Sequence, residues 1–325
     1  MYMLKKFTLN LDNKYDVCLN HFYPSKKNHL FNEPDYFNIH SSSSQDVYAQ
    51  LVRRSDLKVF ATICFYEDTS GIFLSPIRGT FGSVSLNENL GFLLLDNFLT
   101  GLIHYLVANG ARELRIKCAP SSHDNALFSK LFSIFTRNNL IPDYVEVNYD
   151  LLINDRNFID LVDYGNIKRI RKMLKCGFVA EKIGNTSLSQ AYLVIAENRS
   201  RLGVVVSMTE NQLKNMIDRF PDAVHLFAVY RDSQRTEILA SAVCIAITDS
   251  ILYVLYWGDA ADMGSYSPVA LLAKTIYEYC QENGFKLLDV GTSTLKGIPN
   301  FGLVKFKQNL GFAESLKVEF STKDF

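Results

Sequence analysis

The sequence predicts a mixed α/β chain built from two tandem copies of one unit. Each unit is an antiparallel meander followed by a helix, a strand, a second helix and a closing strand. Three observations lead there. A helix-plus-strand pattern occurs twice, each occurrence is preceded by three β-rich runs, and 325 residues suit two domains of ordinary size better than one core.

The first occurrence runs from Leu94 to Asn109, where Leu95, Phe98, Leu99, Leu102, Ile103 and Leu106 recur at i, i+3, i+4 spacing. That period makes an amphipathic helix, and Asn109-Gly110 supplies its C-terminal cap. Glu113 to Cys118 follows as a short strand that ends at Pro120. In the second occurrence Pro268 opens a helix with Val269, Leu272, Ala273, Ile276 and Cys280 on one face. Asn283-Gly284 caps it, and Lys286 to Val290 is the strand.

Before the first helix, Tyr48–Arg53, Val59–Glu67 and Gly71–Ser75 are rich in β-branched and aromatic residues; before the second, Val224–Tyr230, Ile238–Thr248 and Ile251–Trp257 match them. Turn residues separate the runs, as an antiparallel meander requires. The second helices are expected at Ala126–Asn138 and Phe301–Asn309, and the closing strands at Tyr144–Ile153 and Ser315–Phe320. Asn154-Asp155-Arg156-Asn157 breaks the pattern, so the boundary is placed near Asp155, giving domains 1–155 and 156–325.

Composition narrows the function. Hydrophobic residues make up 48% and charged residues 21%, which is packed globular composition. Lys+Arg and Asp+Glu both count 34, so no global field draws DNA or a membrane, and anion binding must come from a local cluster. The six cysteines are scattered, mostly in apolar runs, as buried thiols of a reducing compartment are. The six histidines form no ligand spacing, so no metal is expected. No apolar run approaches the roughly 18 residues that span a bilayer, and the N-terminus has no apolar leader core; the expected location is cytoplasmic. No G-x-S-x-G elbow or Walker-type loop occurs.

The order of elements resembles the acyl-CoA N-acyltransferase (GNAT) fold. Asn309-Leu310-Gly311-Phe312 is similar to that family's late "N-x-G-F" segment. Two such domains in tandem resemble the FemAB-like group. So do the basic stretch from Lys168 to Phe178 and the segment from Leu303 to Gly311, which is similar to the group's "L-x-x-F-K-x-x-hydrophobic-G". The resemblance implies transfer of an acyl group from acyl-CoA (acetyl-CoA) or aminoacyl-tRNA to a primary amine of a small molecule, amino-sugar or cell-wall or polysaccharide precursor. A non-catalytic tandem protein that binds a nucleotide-sugar or a protein partner is the alternative.

In that fold the donor's arm lies where the sheet splays, and its diphosphate meets the N-terminus of the next helix, where free N–H groups favour anions. The matching stretch here runs from Trp257 through Gly258, Gly264, Ser265, Tyr266 and Ser267 to Pro268. It lacks the family's Gln/Arg-x-x-Gly-x-Gly/Ala phosphate loop, and it carries Asp259 and Asp262, which oppose a diphosphate. The corresponding first-domain stretch, Arg78-Gly79-Thr80-Phe81-Gly82, could hold a phosphate or simply turn on two glycines.

Asp289 ends a strand before Gly291, Thr292, Ser293 and Thr294. It could accept the acceptor amine's proton or hold a backbone turn. Ser293 and Thr294 could hydrogen-bond the donor or cap the next turn, and Asn300 is expected among the donor-binding residues. The resemblance makes Lys307 the cation that binds or polarises the acyl donor; by spacing alone it is an exposed helix lysine. Lys168, Arg171, Lys172 and Lys175 fall on one face of a helix opposite Ile167, Ile170 and Leu174, with Arg169 in the same basic cluster, as a solvated face or as an anion site for acceptor or donor phosphate. These features place the donor cleft in the second domain and leave the first structural or acceptor-shaping.

Overall fold

The computed structural model describes residues 6–25, 28–263 and 265–322. The chain begins with strands β1 (Phe7–Asn10) and β2 (Tyr15–Leu19), helix α1 (Pro34–His40), and strands β3 (Val47–Arg53), β4 (Val59–Thr69), β5 (Ile72–Ser75) and β6 (Ser85–Leu86). Helix α2 (Phe92–Ala108), β7 (Glu113–Lys117), α3 (Asn125–Arg137) and β8 (Ile141–Leu152) follow. Next come α4 (Tyr164–Lys175), β9 (Val179–Ile183), α5 (Leu188–Arg201), α6 (Glu210–Arg219), β10 (Val224–Tyr230), β11 (Ile238–Ala246) and β12 (Ile251–Asp259). The chain continues with α7 (Pro268–Glu282), β13 (Leu287–Thr292), the hairpin strands β14 (Thr294–Leu295) and β15 (Ile298–Pro299), α8 (Phe301–Asn309) and β16 (Ala313–Ser321).

Two compact units result, one of Met1–Val147 with Ser315–Phe325 and one of Asn148–Glu314. In the first, β1 to β5 form an antiparallel meander, with β6 on β4. Strand β7 lies parallel to β5, and β16 antiparallel to β7. The apolar stripe of α2 (Leu95, Phe98, Leu99, Leu102, Ile103, Leu106) packs into the core with Ile63, Phe65, Leu114 and Ile116. In the second unit β9 to β12 are antiparallel, β13 is parallel to β12, and the end of β8 is antiparallel to β13.

The closing strands differ from the sequence reading, which gives each half its own. Strand β16 pairs with β7, and its Val318 and Phe320 are buried in the first unit's core. Asn148–Leu152 of β8 pair with β13 instead. The two segments have the same alternation, so either could satisfy either sheet edge.

The first unit also buries an uncharged polar network. His29 is 8% exposed, its ring is edge-on to Phe31 and Phe81, and Asn32 Nδ2 lies 3.2 Å from its Nε2. Burial pushes the His29 pKa down to about 3, with His123 adding to the shift. An unfolded histidine titrates near 6.5, so this contribution to stability is complete above about pH 6.5 and is lost as pH falls towards 3. His40 and His225, both lowered to about 4 mainly by burial, act in the same direction. Glu33, raised to about 7 by burial and the charge of Asp35, opposes them: its contribution is complete below about pH 4.5 and is lost as pH rises to 7. The melting temperature is therefore expected to drop between pH 6.5 and 4, and His29→Gln to flatten that slope. A variant with the wild-type slope would remove His29 from the account.

Candidate functional site

Strands β12 and β13 separate soon after they meet. They pair only where Ile251–Tyr253 lie beside Leu287–Asp289. Beyond that point β12 stays with β11 as far as Asp259, while β13 turns out of register between Asp289 and Thr292. Gly291 forms the break with φ +74°, a left-handed conformation that glycine adopts without strain. The outcome is an opening between two parallel strands beyond Tyr253 and Asp289. Trp257, half-buried on the diverging part of β12, is edge-on to Phe306 and Phe312, with ring centroids 6.0 Å and 6.4 Å away.

The structure brings Asp289 and Lys307 together at this break. Asp289 is fully buried, and its Oδ1 accepts from Gly291 N at 2.7 Å and from Asn148 Nδ2 at 3.0 Å. Lys307 is 2% exposed, so it is no surface lysine. Its Nζ donates to Gly291 O at 2.8 Å and Thr292 O at 2.9 Å and lies 5.4 Å from the centre of the Tyr149 ring. One side chain thus grips the N–H of Gly291 and the other its carbonyl. For Asp289 this geometry favours the turn-holding reading over the base reading, since its carboxylate is buried and aimed at the backbone. A buried ammonium needs hydrogen-bonding partners, and the two carbonyls provide them.

Ser293 is buried at 2% exposure. Its carbonyl accepts from Asn300 N at 2.9 Å. Asn300, expected to bind the donor, is the N-cap of α8, with Oδ1 accepting from Leu303 N at 3.0 Å. Thr294 starts a two-stranded hairpin with Pro299. The sequence reads that segment as a plain loop; Lys296 and Gly297, with φ of 51° and 76°, give the paired left-handed turn that a two-residue hairpin needs.

Ser267 occupies the N-cap position of α7 and Pro268 its first turn, but the Ser267 side chain makes no cap bond. Beside that helix start, Lys172 Nζ donates to Ser265 Oγ at 2.5 Å and stands 4.4 Å from the centre of the Tyr266 ring. A cation from the basic helix and the candidate donor loop therefore meet. Gly264 lies outside the described residues. Gly258 is backed by α5, since a Cβ there would come within 2.8 Å of Asn198 Cβ. Asn198 Nδ2 and Arg201 hold Asp259 in place, at 2.7 Å and 3.8 Å from its Oδ1. Burial pushes the Asp259 carboxyl up, and Arg201 and Asn198 pull it back. Part of the acidic obstacle in this loop is thereby neutralised.

Lys168, Arg169 and Arg171 are exposed on α4. Lys168 stacks on Tyr164 at 4.3 Å and Arg169 bonds Asn166 at 3.3 Å. The buried face of α4 is Asn166, Ile170 and Met173, whereas Leu174 is 48% exposed, so the helix is turned by one position from the sequence expectation.

The equivalent place in the first unit is filled. Beyond β5, Gly82 N donates to Lys117 O at 2.9 Å and Ser83 N to Ser75 Oγ at 3.0 Å. Phe81 is 1% exposed. A Cβ on Gly82 would come within 2.5 Å of Pro76 N, and one on Gly79 within 2.9 Å of the Phe31 ring. The two glycines serve close packing, and Arg78 beside them is exposed.

Sequence reasoning did not single out Asn148 or Tyr149. The available signal was Asn148 and Asp150 at alternate positions of a strand, which puts two polar side chains on one face. Among the described residues no group of three or more side chains could hold a metal ion, and no helix is long and apolar enough to cross a membrane.

No family model matches the sequence, and no curated protein matches it. Solved structures do share the fold. FemX superposes with a TM-score of 0.66 at 14% identity, over 91% of this chain and 92% of that one. L-PGS from Bacillus licheniformis gives 0.58 at 11% identity, over 93% and 95%. The C-terminal domain (DUF2156) of an Agrobacterium fabrum protein described as a lysylphosphatidylglycerol synthetase gives 0.53 at 10%, over 80% of each chain. The mixed α/β fold expected from the sequence is thus the observed one, and these structures share it.

Proposed function

We propose that this chain is an acyl- or aminoacyl-transferase that binds its donor in the β12–β13 opening of the second unit and passes the acyl group to a primary amine. The opening, with buried Lys307 at its bend, is the observation that carries this reading. The fold shared with FemX and with a protein described as a lysylphosphatidylglycerol synthetase supports an aminoacyl-tRNA as well as an acyl-CoA as donor. It also supports a small-molecule, amino-sugar or cell-wall precursor as acceptor.

The reaction is direct attack. The amine nitrogen bonds to the carbonyl carbon, the C–S or C–O ester bond breaks, and the amine proton goes to a base or to water. The Lys307 charge stabilises the oxygen on which negative charge develops. Asp289 holds Gly291 so that the break keeps its shape, Lys172 with Ser265 and the start of α7 take the donor's phosphate, and Trp257 forms a wall. Alignment of the two substrates supplies much of the rate.

Thermal-shift titration separates this reading from non-catalytic binding, because a ligand that binds only the folded state at 100 times its Kd adds about 2.7 kcal/mol. Acyl-CoA or a 3′-aminoacylamino-3′-deoxyadenosine, a stable stand-in for the aminoacyl-tRNA end, is expected to raise the melting temperature. A rise with nucleotide-sugars and none with either donor class would overturn the assignment.

A further inference from the structure

The four most exposed large apolar side chains among the described residues are Val205 at 89%, Leu295 and Phe301 at 76%, and Ile298 at 73%. They belong to two segments of the second unit. The first runs from the end of α5, at Arg199, to Ser207, and exposes Leu202, Val204 and Val205. The second is the β14–β15 hairpin with the first turn of α8. Single exposed apolar residues are ordinary, but clusters of them mark an interaction.

Both segments lie at the same end of the sheet. Strands β12 and β13 are parallel, so Asp259 and Thr292 end them on the same side, and the hairpin starts at Thr294. The α5 segment is tied to β12 at both of its ends: Arg201 donates to Asp259 O, and the hydroxyls of Ser207 and Tyr256 are hydrogen-bonded to each other. Within the hairpin Leu295 and Ile298 are directly opposite, which puts both side chains on one face of the ribbon. Phe301 and Lys305 are one turn apart on α8 and share its exposed face.

Charge selects the occupant. From Val290 to Ala313 the chain contains Lys296, Lys305 and Lys307 and no Asp or Glu; from Asn198 to Thr209 it contains Arg199 and Arg201 and again no acid. Lys307 is buried, which leaves the other four cations around the apolar tips. Of the acids at this end, Asp259 is held by Arg201 and Asn198, and Asp262 is exposed. Apolar tips flanked by cations fit an anionic lipid surface, where the tips enter the headgroup boundary and the cations stay among the phosphates. A protein partner fits less well, because a stable protein interface needs a broad packed surface of about 800 Å² on each side, and these tips are short and come from separate segments.

We infer that the second unit docks reversibly on an anionic membrane surface through Leu202, Val204 and Val205 in one segment and Leu295, Ile298 and Phe301 in the other. Docking there turns the ends of β12 and β13 towards the lipid. The inference concerns this surface and holds whichever donor or acceptor the β12–β13 opening takes.

Vesicle flotation of the full chain tests it. Wild type is expected to float with vesicles of equal parts phosphatidylcholine and phosphatidylglycerol and to stay behind with phosphatidylcholine alone. Leu295→Ser combined with Ile298→Ser is expected to weaken binding by about 10-fold or more, because both side chains lose their apolar burial. Val205→Ser acts in the same direction. Lys305→Glu is expected to weaken binding by about 5- to 30-fold, the worth of one to two charges near such a surface. These side chains are exposed, so melting temperatures are expected to stay level, and the response to any donor that wild type binds is expected to persist. Flotation with neither vesicle, or flotation that the hairpin and Val205 variants leave unchanged, overturns the inference. Flotation lost only through Lys168→Glu with Arg171→Glu overturns it as well, by assigning the binding to α4. Equal flotation with both vesicle types overturns the anionic assignment. Self-association without lipid, abolished by the hairpin variant, makes a second copy the occupant and overturns the membrane surface.

Discussion

Lys307→Met is expected to lower acyl transfer by roughly 100- to 1,000-fold, the usual cost of removing one preorganised group that stabilises a developing oxyanion. Methionine keeps the length of the side chain and loses the charge. Lys307 also donates to Gly291 O and Thr292 O, so the substitution leaves two carbonyls short of a donor and is expected to cost about 1–3 kcal/mol of stability for each. The two effects separate in the laboratory. Turnover is measured on the donor that raises the wild-type melting temperature, at a temperature where circular dichroism shows the variant folded, with donor affinity measured alongside. A folded variant that turns over within threefold of wild type would exclude an electrostatic role and leave Lys307 as a clamp on the strand break.

Gly311→Ala is expected to destabilise the protein by about 2–5 kcal/mol, through a left-handed backbone combined with a steric clash. The residue has φ +82°, and a Cβ there would come within 2.5 Å of Leu161 O. A backbone bond and a side-chain bond fix that approach, since Asn309 O accepts from Asp163 N at 2.9 Å and from Asn166 Nδ2 at 3.3 Å. The chain cannot move away without losing the dock between the end of α8 and the start of α4. Gly284→Ala is the matched control: φ is +78° but nothing lies within 4 Å of its Cβ, so only the backbone cost of about 1 kcal/mol applies. Equal losses of melting temperature in the two variants would refute the steric part of the argument.

Most elements were legible because local chemistry specifies them. The apolar stripe of α2, the Asn-Gly caps and the β-branched runs of β10 to β12 are local patterns, and the observed bounds fall within a few residues of those expected. The "N-x-G-F" segment was also legible as a motif, and the Leu161 carbonyl now gives its glycine a physical cause. Strands β1, β2, β6 and β9 and helices α1, α5 and α6 were not read from the sequence, and the contacts that build the candidate site escaped because they are non-local. The burial of Lys307 depends on a strand break formed by Gly291, which on α8's own sequence looks like an ordinary exposed-face position. Asn148 lies on a strand predicted to close the other unit, so its proximity to Asp289, 141 positions away, had no local signal. The plug at Gly79 and Gly82 shows the converse: a glycine pair that suggests phosphate binding in isolation is explained by the aromatic ring and strand end packed against it.

The pairing of β16 with β7 makes the first unit dependent on residues that follow the whole of the second unit in the sequence. Leu114 N donates to Thr322 Oγ1 across 208 positions, a sequence separation of the kind that slows folding because loop closure precedes any gain from the contact. While the ribosome is still adding residues 148–314, the edge of β7 has no closing strand and Ile116 lacks its cover from Phe320. A nascent chain in that interval exposes an open β edge, and the order of synthesis leaves the first unit to be completed after the second unit's residues have been made.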